Sequence, residues 1–246
     1  MQTFLDRLRR VLPWVFGFLT LFFLFLLVMD LWLGAAGVRA YKRTAQKYAP
    51  SPPSQNPGGI QVDFAALQEI NPDICGWMDF PPLSISYPVL QGEDNEKYLS
   101  HMFDGSSNPN GSLFLDAAHS PRLENALTLL YGHNMNNGAM LGGLAEYLDP
   151  EFYDPGNFFY YYLPGEEEPR VFQILIFAQV PPDAAFFFEP YTLDSPAYRE
   201  MLAWAEEQAL YPTGLSPDPA RPTLALVTCT RDGKERLAAF CQETSP

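Results

Sequence analysis

Thr223-Leu224-Ala225-Leu226-Val227-Thr228-Cys229 runs into Thr230-Arg231-Asp232-Gly233-Lys234-Glu235-Arg236 and then Leu237-Ala238-Ala239-Phe240. An apolar, β-favouring run ends on a cysteine, a polar turn containing Asp232-Gly233 follows, and an arginine opens a second apolar run. The pattern reads as strand, loop, strand. A thiol at one strand end and a guanidinium at the start of the next can share a pocket. That arrangement suits acyl transfer, in which sulfur attacks a carbonyl and a cation stabilises the developing oxyanion. A cysteine closing an apolar strand also fits a simple buried packing residue. A free thiol, with a pKa of about 8.5, is only a few per cent ionised at pH 7, so chemistry at Cys229 needs a base from elsewhere.

The chain offers three histidines. His101 lies in a polar stretch before Met102-Phe103-Asp104, and His119 precedes Ser120-Pro121 in a loop; both read as ordinary surface histidines. His133 stands in Thr128-Leu129-Leu130-Tyr131-Gly132-His133-Asn134-Met135, just past the glycine that breaks an apolar run. Only His133 repeats the strand-end placement of Cys229.

Eight short apolar runs divided by Pro, Gly and Asn occupy residues 76–80, 85–90, 113–116, 126–131, 158–163, 171–180, 223–229 and 236–240. They predict a mainly β fold closed into a barrel, which brings distant strand ends, including those at His133 and Cys229, to one rim. Helical spacing marks residues 62–70, with Asp63 as cap, and residues 140–148. The clearest helix is 195–210, with Ser195 as cap, Pro196 at the first helical position, and Tyr198, Met201, Leu202 and Ala205 on its apolar face. Of the aromatic runs, Phe158 to Tyr162 reads as strand core. Phe186-Phe187-Phe188 lies in a loop, as a groove wall or a surface contact.

Residues 11–33 are almost wholly apolar and span about 35 Å as a helix, enough for a hydrocarbon core of about 30 Å. Pro13 falls in the first turn of that span and Asp30 near its far end. A cleaved signal peptide competes, given Gly34-Ala35-Ala36, but the run exceeds the usual signal core and favours an uncleaved anchor. Basic residues flank both ends (Arg7, Arg9 and Arg10 before; Arg39, Lys42, Arg43 and Lys47 after), so the positive-inside count does not orient it. The domain plan is therefore residues 1–10, an anchor at 11–33, a juxtamembrane segment and Pro/Gly/Ser-rich tether at 34–59, and one globular domain at 60–246.

The chain's net charge is −14, but its first 49 residues hold seven of the basic and two of the acidic groups, leaving the remainder at −19. Such a domain is repelled by nucleic acid, which excludes that class of partner. The basic residues from Arg39 to Lys47 either lie against the membrane surface or are solvated. Cys75, Cys229 and Cys241 form no Cys-x-x-Cys pair and the histidines lack ligand spacing, so neither a metal nor another cofactor is expected. A Cys75–Cys241 bridge would leave Cys229 as the free thiol; both cysteines being simply buried is equally consistent with the sequence.

Tyr131-Gly132-His133-Asn134-Met135 with Leu226-Val227-Thr228-Cys229 and a downstream arginine resembles the sortases of Gram-positive bacteria, class B in particular. Supporting pieces occur in order: Asn71-Pro72-Asp73-Ile74-Cys75-Gly76-Trp77, Tyr87-Pro88-Val89-Leu90-Gln91-Gly92, Asn95 to Leu99, and Gly111-Ser112-Leu113-Phe114-Leu115-Asp116. The resemblance covers roughly residues 60 to 240. It implies a sortase-type eight-stranded barrel, with the helix at 195–210 matching the class B insertion that helps shape the substrate groove. It implies Cys229 as nucleophile, His133 as general acid and base, and Arg236, rather than Arg231, as the oxyanion cation. It also implies substrate contacts at Thr228, Leu99 and Ser112. Ala225 stands where the family has the first threonine of Thr-Leu-x-Thr-Cys.

The same resemblance implies a single-pass protein of the cell membrane, with a cytoplasmic amino terminus and an external catalytic domain. The partners it implies are secreted surface proteins bearing a carboxy-terminal Asn-Pro-x-Thr-type sorting signal and an amine of a peptidoglycan precursor. A pilin-polymerising sortase with a lysine acceptor, a hydrolytic cysteine peptidase and an inactive peptide-binding module are the alternatives.

Overall fold

All eight expected runs are strands: β1 (Ile74–Phe80), β2 (Ile85–Leu90), β3 (Leu113–Leu115), β4 (Leu127–Tyr131), β5 (Phe158–Tyr162), β6 (Arg170–Val180), β7 (Thr223–Cys229) and β8 (Arg236–Glu243). In the computed structural model, which describes residues 2–50 and 59–244, they close into a barrel in the order β1-β2-β3-β4-β7-β8-β6-β5. Closure gives each of these strands a hydrogen-bonded neighbour on both sides. Two neighbour pairs are parallel, β2 with β3 and β4 with β7; the others are antiparallel.

Side chains alternate across the strands and make two cores. Leu130, Leu224, Leu226, Leu237, Ala239 and Cys241 join the barrel interior around Trp77, Phe159 and Phe177. Leu127, Leu129, Ala225, Val227, Ala238 and Phe240 face outward and form a second core under α3 (Pro196–Glu207). The expected cap forms, with Ser195 Oγ accepting from Tyr198 N at 3.2 Å, and Tyr198, Met201, Leu202 and Ala205 are the buried face. The helix ends before Leu210 because Ala209 bridges to Ala178 and Leu210 N donates to Phe177 O, drawing the chain onto β6.

Residues 140–148 depart from expectation: Gly142–Leu148 is a 3-10 helix, not an α-helix. Gly142 packs so tightly on the Met135 backbone that the chain enters this segment in a sharp turn. Of the Phe186-Phe187-Phe188 run, Phe186 is buried in the outer core while Phe188 is exposed.

The apolar span is the first part of α1 (Gln2–Tyr48), long and apolar enough to cross a bilayer; the side chains of residues 12–29 stand clear of the domain. The expected juxtamembrane residues are helical too: α1 continues unbroken to Tyr48. Its last turns dock on the barrel, burying Tyr41, Thr44 and the following Ala49. Tyr48 O then accepts from Asp63 N at 2.8 Å, at the cap of α2 (Phe64–Ile70). The tether expected over residues 49–59 lies for the most part outside the described residues.

Candidate active site

β4 and β7 run the same way, so both end at one rim, and their register sets what meets there. Leu127 to Tyr131 pair one-for-one with Thr223 to Val227, and Gly132 N donates to Val227 O at 3.3 Å. Two residues further along each chain stand His133 and Cys229, level with each other on strands about 4.8 Å apart. The side-chain amide of Asn134 donates to Cys229 O at 2.8 Å and clamps the two strand ends together. On the other side of β7, Cys229 is the ladder partner of Arg236. Residues so paired project from one face with β-carbons about 5 Å apart. The face is the outer one: Cys229 continues the Ala225, Val227 series and Arg236 the Phe240, Ala238 series, just beyond the cover of α3.

These three side chains line a cleft of about 290 Å³ with Asn95, Leu99, Phe114, Tyr131, Val227 and Thr228. Its surface is mostly apolar, suiting a peptide with non-polar side chains. His133 Nε2 lies 2.6 Å from Leu99 O. A carbonyl can only accept, so Nε2 carries the hydrogen, and Nδ1 is the nitrogen left to exchange a proton with the thiol.

Arg236 is half-buried, and its Nη1 donates to Gly233 O at 3.3 Å and Glu235 O at 3.0 Å. Among the described residues no carboxylate pairs with it, so its remaining donors face the cleft uncommitted. Tyr131 carries a further network. Its hydroxyl donates to Asp116 Oδ2 at 3.1 Å, and Asn95 Nδ2 donates to the same oxygen at 2.9 Å. Burial, and then the Asp116 charge, push the Tyr131 phenol well above its ordinary range, with the nearby Arg236 charge opposing, so the phenol stays a donor.

The structure therefore brings together Cys229, His133, Arg236, Leu99 and Thr228 from among the residues singled out in the sequence. Thr228 is almost fully buried and its hydroxyl lacks a hydrogen-bond partner within the protein. Ser112, expected to contact substrate, does not line the cleft. It is buried against Tyr41 of α1 and donates to His101 O at 2.9 Å, because residues 108–112 turn toward the docked helix. Arg231 is exposed on the turn, outside the cleft. α3 does not line this cleft either; it walls a separate groove with Phe186 and Tyr191. Asn134 and the Asn95–Asp116–Tyr131 network carried no role in the sequence reading. Their contacts join strands far apart in the chain, and only the adjacency of Tyr131 and Asn134 to His133 hinted at them.

All three cysteines are free: Cys75 on β1 and Cys241 on β8 are not bridged. Burial pushes the Cys75 thiol up to about 12 and the Cys241 thiol well above its usual range, so both are held as unreactive thiols. Among the described residues no group of three or more His, Cys, Asp or Glu side chains is placed to hold a metal ion.

No protein-family model matches the chain. It is 28% identical over 173 residues to sortase B of Listeria monocytogenes, covering 70% of this chain and 69% of that one. It is 34% identical over 114 residues to sortase B of Staphylococcus aureus, covering 46% of each. A crystal structure from Bacillus anthracis described as similar to sortase B superposes with a TM-score of 0.71 at 26% identity, over 86% of this chain and 98% of that one. A barrel of this topology, a cysteine and a histidine set level on its parallel strand pair, and these likenesses agree: in sequence and in fold the chain is similar to the class B sortases, a family of cysteine transpeptidases.

Proposed function

We propose that this chain is a membrane-anchored transpeptidase that cleaves an Asn-Pro-x-Thr-type sorting signal after threonine and transfers the new carboxyl end to a cell-wall amine. The observation that carries the reading is the parallel β4–β7 register, which sets His133 beside Cys229, with Arg236 as the cross-strand partner of the cysteine.

In this reading the Cys229 thiolate attacks the threonine carbonyl carbon, and the electron pair moves to the carbonyl oxygen, where the Arg236 guanidinium stabilises it. The oxyanion collapses, the carbon–nitrogen bond breaks, and His133 delivers a proton from Nδ1 to the departing amine. A thioester remains on Cys229. The acceptor amine attacks it, gives a proton back to His133, and sulfur leaves as thiolate. The apolar walls, Leu99, Phe114 and Val227, hold the signal peptide, with Thr228 lining the same cleft. The amino terminus is assigned to the cytoplasm and the acidic domain to the outside, with α1 as the single span.

The test is the full-length chain in detergent micelles, given fluorogenic sorting peptides with and without an amine acceptor, beside Cys229→Ala. Product that requires the amine supports transpeptidation. Hydrolysis indifferent to amines makes the chain a peptidase, preference for a lysine side chain makes it a pilin polymerase, and activity surviving Cys229→Ala removes the nucleophile.

A further inference from the structure

The carbonyl that holds His133 belongs to a single 3-10 turn, Lys97–Leu99. Gly111 lies flat on that turn. Its φ is +58°, and a β-carbon there would sit 2.5 Å from Tyr98 O and 2.8 Å from Leu99 O, so only glycine allows the approach. Ser112 N adds a bond to Tyr98 O at 2.9 Å. The position of the Leu99 peptide is thus set by where residues 111 and 112 are held.

They are held by α1. The Tyr41 hydroxyl reaches Gly111 O at 2.7 Å and Ser112 Oγ at 2.8 Å. Ser112 gives its own hydrogen to His101 O, so the one phenolic hydrogen is shared between Gly111 O and Ser112 Oγ. The Tyr41 ring is wholly buried, 5.1 Å from the ring of Tyr87 and 5.5 Å from that of Phe103. The same loop grips the helix higher up: Asn108 Nδ2 donates to Leu33 O at 3.2 Å and Asn110 Nδ2 to Gly34 O at 2.9 Å. At Gly37 a side chain would overlap the Asn110 amide. Residues 108–112 therefore contact the helix on one side and the turn carrying Leu99 on the other.

We infer that the docked end of α1 is a positioning element of the active site, with Tyr41 acting through Gly111 and Ser112 to fix the Leu99 carbonyl and hence the His133 imidazole. The inference rests on the proposed role of His133 and adds to it a control point on the anchor helix. Tyr41 touches no substrate; it sets where Nε2–H finds its acceptor, and so where Nδ1 points. Removing its hydroxyl leaves the buried Gly111 carbonyl short of a donor and frees the loop to shift.

The test compares Tyr41→Phe, which keeps the ring and its packing, with Tyr198→Phe, in the full-length chain in micelles. Tyr198 is a matched control: a buried tyrosine under α3 whose hydroxyl bonds Arg221 O and Thr223 Oγ1, away from the cleft. Tyr41→Phe lowers kcat about three- to tenfold with KM unchanged. It also speeds exchange of the His133 Nε2–H proton with water, read by NMR on labelled histidine, while Tyr198→Phe changes neither. Wild-type kcat and exchange in Tyr41→Phe overturn the inference, as does an equal effect of Tyr198→Phe, which marks general loosening. Unchanged kcat in Tyr41→Phe overturns the inference if His133→Ala, run beside it, is inactive, and overturns the proposed role of His133 if His133→Ala keeps its rate, so the two failures are told apart.

Discussion

Replacing Arg236 separates two arginines that the sequence sets five positions apart. Arg236 is the ladder partner of Cys229, has one terminal nitrogen tied to Gly233 O and Glu235 O, and turns its other donors to the cleft. Arg231 projects from the exposed turn. Removing one preorganised donor to an oxyanion costs about 2.7–4 kcal/mol of transition-state stabilisation, a factor of about 10² to 10³. Arg236→Ala should therefore lower kcat/KM of the amine-dependent reaction by about that factor, mostly in kcat. Arg236→Lys keeps the charge, but a single ammonium cannot bond both carbonyls and still present a planar fork, so it recovers only part of the loss. Arg231→Ala should stay within about twofold, as surface substitutions do. Initial rates over a range of peptide concentrations read the whole comparison. Equal losses from the two alanine variants, or a loss in KM alone for Arg236→Ala, would refute the assignment of Arg236 to the oxyanion.

Tyr131→Phe removes a hydrogen bond to the Asp116 carboxyl while keeping the ring 5.4 Å from Phe114, and should cost about 1.5–3 kcal/mol of stability in thermal unfolding; an unchanged melt would mean the Asn95 bond suffices. Asn134→Ala breaks the clamp on Cys229 O, and should cost about 1 kcal/mol and about fivefold in turnover. Wild-type rates of both turnover and Cys229 alkylation would show the strand ends to be held without it. His119 accepts from Leu129 N through Nδ1, and burial holds its imidazole below the ordinary value, with the Asp116 charge opposing. A base with a lowered folded pKa stabilises fully above its unfolded value of about 6.5, and the contribution is lost as pH falls through the folded one. Melting temperatures of wild type minus His119→Gln should fall between pH 7.5 and 5, and a rise over that interval would reverse the sign.

What could be read in the sequence, and what could not, divides along physical lines. Each barrel strand announced itself because an apolar run between turn residues is a local signal, and the strand ends at Cys229 and His133 fell out of the same punctuation. The docking of α1 did not. Its buried stripe is Gly37, Tyr41 and Thr44, at the spacing of one helix face but made of small and hydroxyl-bearing residues, between the exposed Arg39, Lys42, Arg43 and Lys47. A periodicity of hydrophobicity registers such a face poorly, because close approach at Gly37, hydrogen bonds and one aromatic ring hold it rather than a stripe of aliphatic residues. Ser112 was misplaced for the same reason: its neighbours in sequence lead to the cleft, but its hydroxyl turns the other way, to a helix some seventy residues upstream.

The outer core also bears on the proposed catalysis, although none of its side chains is given a part in it. Side chains alternate along a strand, so a slip of one residue between β4 and β7 would send Cys229 to the barrel interior and bring Thr228 out. Leu127 and Leu129 beside Ala225 and Val227, sealed by Met201, Leu202 and Ala205 of α3, make that slip costly by exposing apolar groups worth about 1.5–3 kcal/mol each. The same helix stops short of the rim, which leaves Cys229 and Arg236 uncovered on the face it has just defined. α3 thus fixes the register that sets the cysteine level with His133, and its length decides how much of that face a peptide can reach.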